Sequence, residues 1–182
     1  MEGLMSVAGV SKTFVSTRAL DRVDFDVRAG EVHALIGHNG SGKSTLVKVL
    51  AGFHKPDADS GAFKVEGKEI PYGDPEAVHR AGLRLIHQEP GLLDEPTATL
   101  PSSEVTKLFE LIRRMTARGV GIAYISHRLE EIEEIADRVT VLREGRVVGT
   151  GPRAEFDNAR LVSLIVGSHA GEAVPATARE AT

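Results

Sequence analysis

The octapeptide Gly37-His38-Asn39-Gly40-Ser41-Gly42-Lys43-Ser44 constrains this chain more than any other stretch. It follows the pattern G-x-x-x-x-G-K-S. Before it stands Val32–Ile36, a short and mostly apolar run between glycines that suits a central parallel strand. After it a helix is expected over about residues 44–51, stopped by Gly52. In that setting the glycines let the backbone turn its N–H groups inward. Those groups, with the helix N-terminus, make a nest for phosphate oxygens. Lys43 can reach the β- and γ-phosphates of a nucleoside triphosphate. The Ser44 hydroxyl can ligate Mg²⁺, a hard ion that prefers oxygen. The candidate nucleotide contacts are Gly37, His38, Asn39, Gly40, Ser41, Gly42, Lys43, Ser44 and Thr45. The competing explanation is a glycine-rich turn that merely opens a helix.

The 182 residues suffice for one domain with its own core. A net charge of −4 offers no basic field for nucleic acid. The lack of cysteine excludes disulfides and thiol-based metal sites or nucleophiles, and it fits a reducing compartment. No apolar run approaches the roughly 20 residues of a transmembrane helix. The N-terminus lacks the basic-then-apolar order of a signal peptide. A cytoplasmic protein is expected, able to sit on a membrane by docking to a partner.

Along the chain, strands alternate with helices. Strands are expected at residues 6–10, 22–27, 62–66, 83–87, 120–126, 139–142 and 146–148. Arg28-Ala29-Gly30-Glu31 reads as a turn, and Glu144-Gly145 as a hairpin turn. Asp74-Pro75 starts a helix, as N-cap and first helical residue, and Gly82 ends it. Ser102 or Ser103 caps a helix to about residue 118, whose apolar stripe is Val105, Leu108, Phe109, Ile112 and Met115. Further helices are expected over 128–136 and 158–166, the last capped by Asp157. This order predicts an α/β fold: a mainly parallel sheet flanked by helices, with the early strands in a smaller antiparallel part. Residues 1–166 form one nucleotide-binding domain. Residues 167–182, rich in Ala, Gly, Glu and Thr, read as a flexible tail or linker.

A second constellation is Leu92-Leu93-Asp94-Glu95-Pro96. An acidic residue ending a buried strand beside a phosphate loop can hold Mg²⁺, so Asp94 is assigned to the metal. The next carboxylate, Glu95, can orient or deprotonate an attacking water. Gln88 follows a strand and can contact Mg²⁺ or that water, or simply be solvated. His127 can hydrogen-bond a γ-phosphate, or be an ordinary satisfied histidine. Phe14 can stack on adenine, or be a core or surface aromatic.

Taken together, these residues resemble the ATP-binding subunit of ABC transporters, a P-loop NTPase fold. The order is the family's: Phe14 in Ser11-Lys12-Thr13-Phe14, the phosphate loop, Gln88 in His87-Gln88-Glu89, Leu93-Asp94-Glu95-Pro96-Thr97, then Ile125-Ser126-His127-Arg128. The match spans residues 6–148. By that resemblance Phe14 stacks on the adenine of ATP, Gln88 is the glutamine-loop residue, and His127 is the switch histidine. The wording Gly30-Glu31-Val32-His33-Ala34-Leu35 and Ser126-His127-Arg128-Leu129-Glu130-Glu131-Ile132 looks most like bacterial monosaccharide importers. Those often carry two such domains in tandem, and this chain looks like the first. The resemblance implies membrane permease subunits and a second nucleotide-binding domain as partners, with an extracellular solute-binding protein acting indirectly. It implies a place on the inner face of the cell membrane.

One departure is large. Family members carry a helical subdomain with an L-S-G-G-Q signature between the glutamine loop and the Asp-Glu pair. Here Gln88 and Asp94 lie six positions apart, and no Ser-Gly-Gly occurs. The helical signature subdomain is absent, with the deletion near residues 89–92. It is a natural deletion, an engineered one, or a joining of separated parts of a longer chain. A second departure is Ala98-Thr99-Leu100, where many members have an aspartate. The leading function is an ATPase subunit powering solute import. The alternatives are a nucleotide-binding remnant without productive hydrolysis, and a small-molecule kinase, which would need a phosphate acceptor.

Overall fold

The computed structural model describes residues 4–80, 85–87, 102–126 and 128–167. The chain opens with a long hairpin, β1 (Met5–Phe14) and β2 (Thr17–Val27), followed by β3 (Val32–Ile36) and helix α1 (Lys43–Leu50). Then come β4 (Phe63–Val65), β5 (Lys68–Glu69), α2 (Pro75–Arg80) and β6 (Leu85–His87). The remainder runs α3 (Ser102–Thr116), β7 (Ile122–Ile125), α4 (Leu129–Ile135), β8 (Arg138–Arg143), β9 (Arg146–Pro152) and α5 (Asn158–Val166).

Two sheets result. One is antiparallel, in the order β2-β1-β4-β5. The other has the order β6-β7-β3-β8-β9, parallel except for β9. The expected α/β architecture with a small antiparallel part is what forms.

The side-chain period of two sorts each central strand between two cores. Leu35 of β3, Ala123 and Ile125 of β7 and Leu142 of β8 join the cluster that the antiparallel sheet and α1 complete, with Met5, Val10, Phe25, Leu46 and Phe63. Ala34 and Ile36, Ile122 and Tyr124, and Val139 and Val141 face the other way, onto Phe109, Ile112, Ile132 and Leu161 of the helices. The parallel sheet is thus covered on both faces, which is why its strands read as nearly unbroken apolar runs. The α3 stripe behaves as expected. Phe109 and Ile112 are fully buried, each contributing about 2 kcal/mol by burial, and Val105, Leu108 and Met115 pack beside them.

The caps follow the sequence closely. Asp74 Oδ1 accepts from the Ala77 N–H at 2.8 Å, and Asp157 Oδ1 from the Arg160 N–H at 2.6 Å. Helix α1 ends in a Schellman motif: Phe53 N–H donates to Lys48 O at 2.8 Å and Gly52 N–H to Val49 O at 3.1 Å.

The strand lengths differ from expectation. β1 and β2 run on past residues 6–10 and 22–27 to a two-residue turn at Val15-Ser16. Val15 takes φ 52°, a conformation a β-branched residue rarely adopts, so no turn signal marked it. β5 was not expected. It pairs with β4 across Glu66-Gly67, which has the same pair of positive φ angles as Glu144-Gly145. The proposed end of α2 at Gly82 lies outside the described residues.

Candidate phosphate-binding site

The loop leaves β3 at Ile36, on the edge of the sheet where parallel strands end. Leu35 pairs in register with Ile125 of β7, and His87 of β6 pairs with the same residue, so three strand ends lie side by side. Open parallel sheets bind ligands at this edge.

Two glycines are required by geometry. A Cβ on Gly37 would sit 2.1 Å from Leu142 O and 2.5 Å from Ser41 Oγ. A Cβ on Gly42 would sit 2.6 Å from Ala19 O, and its φ of 106° is foreign to other residues. Between them Ser41 N–H donates to His38 O at 3.1 Å and closes the loop. The Lys43 ammonium is folded back across the loop, donating to Gly37 O at 2.8 Å and His38 O at 3.0 Å. That side chain is 6% exposed.

A cavity of about 270 Å³ opens over the loop, lined by Ala19, Asn39, Gly40, Gly42, Lys43, Ser44 and Thr45. Lys43 is the one charged residue in that lining, so its sign is positive. The floor bears two glycines, so an anion can meet backbone directly. These features fit a phosphate group. The hydroxyls of Ser44 and Thr45 on the lining supply the oxygen donors a Mg²⁺ ion prefers. Ala19, on β2, was not found from sequence, because an alanine in a strand carries no chemical signal.

Phe14 sits at the end of β1, 40% exposed and outside the cavity lining. Its ring meets His54 edge-on at 5.4 Å, with Lys12 Nζ 5.2 Å from its centroid. Gln88, Asp94, Glu95 and His127 lie outside the described residues.

The residues flanking His127 form a buried network that sequence alone did not suggest. Glu131 of α4 is 4% exposed. Its Oε2 accepts from Tyr124 Oη at 2.9 Å and Ser126 Oγ at 2.7 Å, while Oε1 lies 3.0 Å from the Arg128 guanidinium. Ser126 Oγ in turn accepts from the Arg128 N–H at 3.1 Å. Burial first, then Glu131, pushes the Tyr124 hydroxyl above its ordinary range.

Fold and loop together define a P-loop NTPase. The sequence profile of the ABC transporter family matches residues 20–153, and the chain belongs to that family. It is 33% identical over 239 residues to the putative ribose/galactose/methyl galactoside import ATP-binding protein 2 of Burkholderia cenocepacia (strain HI2424), covering 90% of this chain and 46% of that protein. It is 34% identical over 248 residues to ribose import ATP-binding protein RbsA 3 of Rubrobacter xylanophilus, covering 96% and 50%. The chain therefore spans about half the length of these relatives. Among solved structures, the ADP conformation of MJ1267, an ATP-binding cassette of an ABC transporter, superposes with a TM-score of 0.76 at 20% identity, over 92% of this chain and all of that one. A nucleotide-free cassette from an ABC transporter gives 0.70 at 18% identity, over 93% and 97%. The fold is that of an ATP-binding cassette.

Proposed function

We propose that this chain is an ATP-binding subunit of an ABC importer, holding Mg-ATP on residues 37–45. The observation that carries this is the Lys43 ammonium, held over a glycine-floored cavity at the strand-end edge of the sheet. In this reading phosphate oxygens replace the carbonyls of Gly37 and His38 on Lys43. Ser44, with Gln88 and Asp94, would hold Mg²⁺, which when bound shields the phosphate charge. Phe14 stacks on the adenine. Glu95 takes a proton from the attacking water, Gln88 helps place that water, and His127 meets the γ-phosphate. Binding and hydrolysis would close and open a pair of such domains, and so drive a permease. The names of the relatives point to a sugar as the solute.

No described helix is long and apolar enough to cross a membrane. In this reading the chain reaches the membrane by docking to permease subunits, on the cytoplasmic face. The test is fractionation of cells expressing the parent protein. It is expected to sediment with membranes only when its permease is present. Recovery in the soluble fraction regardless of the permease would contradict an importer subunit.

A second reading applies to the 182-residue chain by itself. Its similarity to the Burkholderia protein runs over 239 residues, so at least 57 positions of that relative have no counterpart here. Together with the six-position spacing of Gln88 and Asp94, this supports a chain that binds Mg-ATP without productive turnover.

A further inference from the structure

The hairpin between β8 and β9 touches the phosphate loop at two points. Leu142 O lies directly under the α-carbon of Gly37, where a Cβ would come within 2.1 Å of it. Three residues on, the Gly145 N–H donates to Ser41 O at 2.9 Å. The turn is itself clasped from its other side. Gly145 O accepts from the Asp21 N–H of β2 at 2.8 Å, and the Arg146 guanidinium pairs with Asp21 Oδ2 at 2.5 Å. The α-carbon of Gly145 lies against β2 so closely that a Cβ would meet Ala19 O at 2.7 Å. One glycine thus joins the strand that lines the cavity to the loop that floors it.

The bond to Ser41 has a directional consequence. In a trans peptide the C=O and N–H point opposite ways, and no described peptide bond is cis. With Ser41 O turned toward Gly145, the N–H of the same peptide, that of Gly42, points away from the hairpin. Gly42 lines the cavity. The hairpin therefore selects the peptide orientation in which the loop presents an N–H, rather than a carbonyl, to an incoming phosphate. A carbonyl there would repel the anion.

We propose that the β8–β9 turn is a positioning element for the phosphate loop, and that Gly145 is its positioning residue. The proposal rests on the assignment of loop 37–45 as a nucleotide site. Gly145 is not among the cavity-lining residues, so it acts through its neighbours, chiefly Ser41, and not by touching the ligand. Linkage then makes a reciprocal demand: if the Gly145–Ser41 bond favours binding, binding must strengthen that bond by the same factor.

The test is amide hydrogen exchange of Gly145 by NMR, in the wild-type chain, with and without saturating Mg-ADP. Protection of the Gly145 amide is expected to rise about tenfold, within the usual span of coupling between sites. In parallel, Mg-ADP is expected to shift the Gly42 amide proton downfield in the wild type, and Gly145→Ala is expected to abolish that shift and to weaken Mg-ADP about tenfold. Unchanged Gly145 protection, with Mg-ADP bound and the amides of residues 40–44 shifted, overturns the proposal while leaving the nucleotide site intact. No Mg-ADP binding at all would overturn the nucleotide site itself, and this proposal with it. The exchange measurement needs no variant, so it decides the matter even if Gly145→Ala fails to fold.

Discussion

The Tyr124 hydroxyl donates to the buried carboxylate of Glu131 at 2.9 Å, tying strand β7 to helix α4. Ser126 adds a second bond at 2.7 Å to the same oxygen. Removing the acceptor leaves two buried hydroxyl protons without an acceptor, each costing about 1–3 kcal/mol. Glu131→Ala is therefore expected to destabilise the fold by about 3 kcal/mol. Tyr124→Phe, which removes one donor while Glu131 Oε2 keeps its bond from Ser126, is expected to cost about 1 kcal/mol. Urea titration of both variants measures this. Equal costs for the two would mean that Glu131 does not hold the network together.

A second prediction concerns acid. His33 of β3 is fully buried and lies against the Phe25 ring, 4.6 Å between centroids. Its Nδ1–H donates to Asp26 O at 2.5 Å, and Nε2 accepts from the Thr140 hydroxyl at 2.8 Å. The charged groups around it are Arg138, Asp26, Arg28 and Glu31. Burial, then the Arg138 charge, lower its pKa from 6.5 to about 4. The unfolded chain thus takes up a proton at a higher pH than the folded one. Stability from this group is full above about pH 6.5 and is lost as pH falls from there towards 4. Between pH 7 and pH 5 the loss from His33 is expected to be about 2 kcal/mol. Denaturant melts of the wild type and His33→Gln at both values test it. The same acid loss in His33→Gln would place the cause elsewhere.

The neighbouring Asp26 carboxylate titrates in its own window. Arg138 grips Asp26 through two bonds of 2.9 Å and reaches Glu31 at 2.9 Å. Its hydrogen bond is the main reason Asp26 lies below its ordinary value. That contribution persists above the ordinary carboxylate range and fades only as pH falls through the lowered value. The steps of His33 and Asp26 are therefore separable on a pH axis.

Much of the fold was legible because local signals agreed. Asp74-Pro75, Asp157 and the stripe through Phe109 and Ile112 each name a helix by a mechanism that works on neighbours in sequence. The phosphate loop was legible for the same reason, being contiguous. What was hidden depends on distant pairs. Nothing in Gly145 announces that it will meet Ser41, nor in Ala19 that it will wall the cavity. Glu131 is one of four glutamates in α4, and nothing in the sequence separates it from the other three; its place opposite Tyr124 buries it. The Val15 turn was hidden because its residue type argues against its backbone angle.

A third prediction concerns turnover. Phosphoryl transfer to water relies on donors and metal preorganised around the γ-phosphate. By family resemblance the signature loop of a facing protomer supplies half of that cage, and this sequence contains no Ser-Gly-Gly. The 182-residue chain is expected to release phosphate little above background, and Glu95→Gln is expected to leave that rate almost unchanged. Phosphate release at saturating Mg-ATP measures both. A brisk rate that collapses in Glu95→Gln would show a complete site built without the signature.

The central claim is that residues 37–45 hold the phosphates of ATP. Lys43 is the one charged side chain on the cavity lining, and it is already drawn across the loop by two carbonyls. Replacing it with alanine removes a charge-assisted contact while keeping the glycines that shape the loop. Calorimetric titration of Mg-ATP into the wild type and Lys43→Ala, with thermal melts to confirm that both are folded, reads the consequence directly. The wild type is expected to bind, and Lys43→Ala to bind about 10-fold or more weakly, the loss of one charge-assisted hydrogen bond. Equal affinity in two folded proteins would mean that this loop is not the nucleotide site.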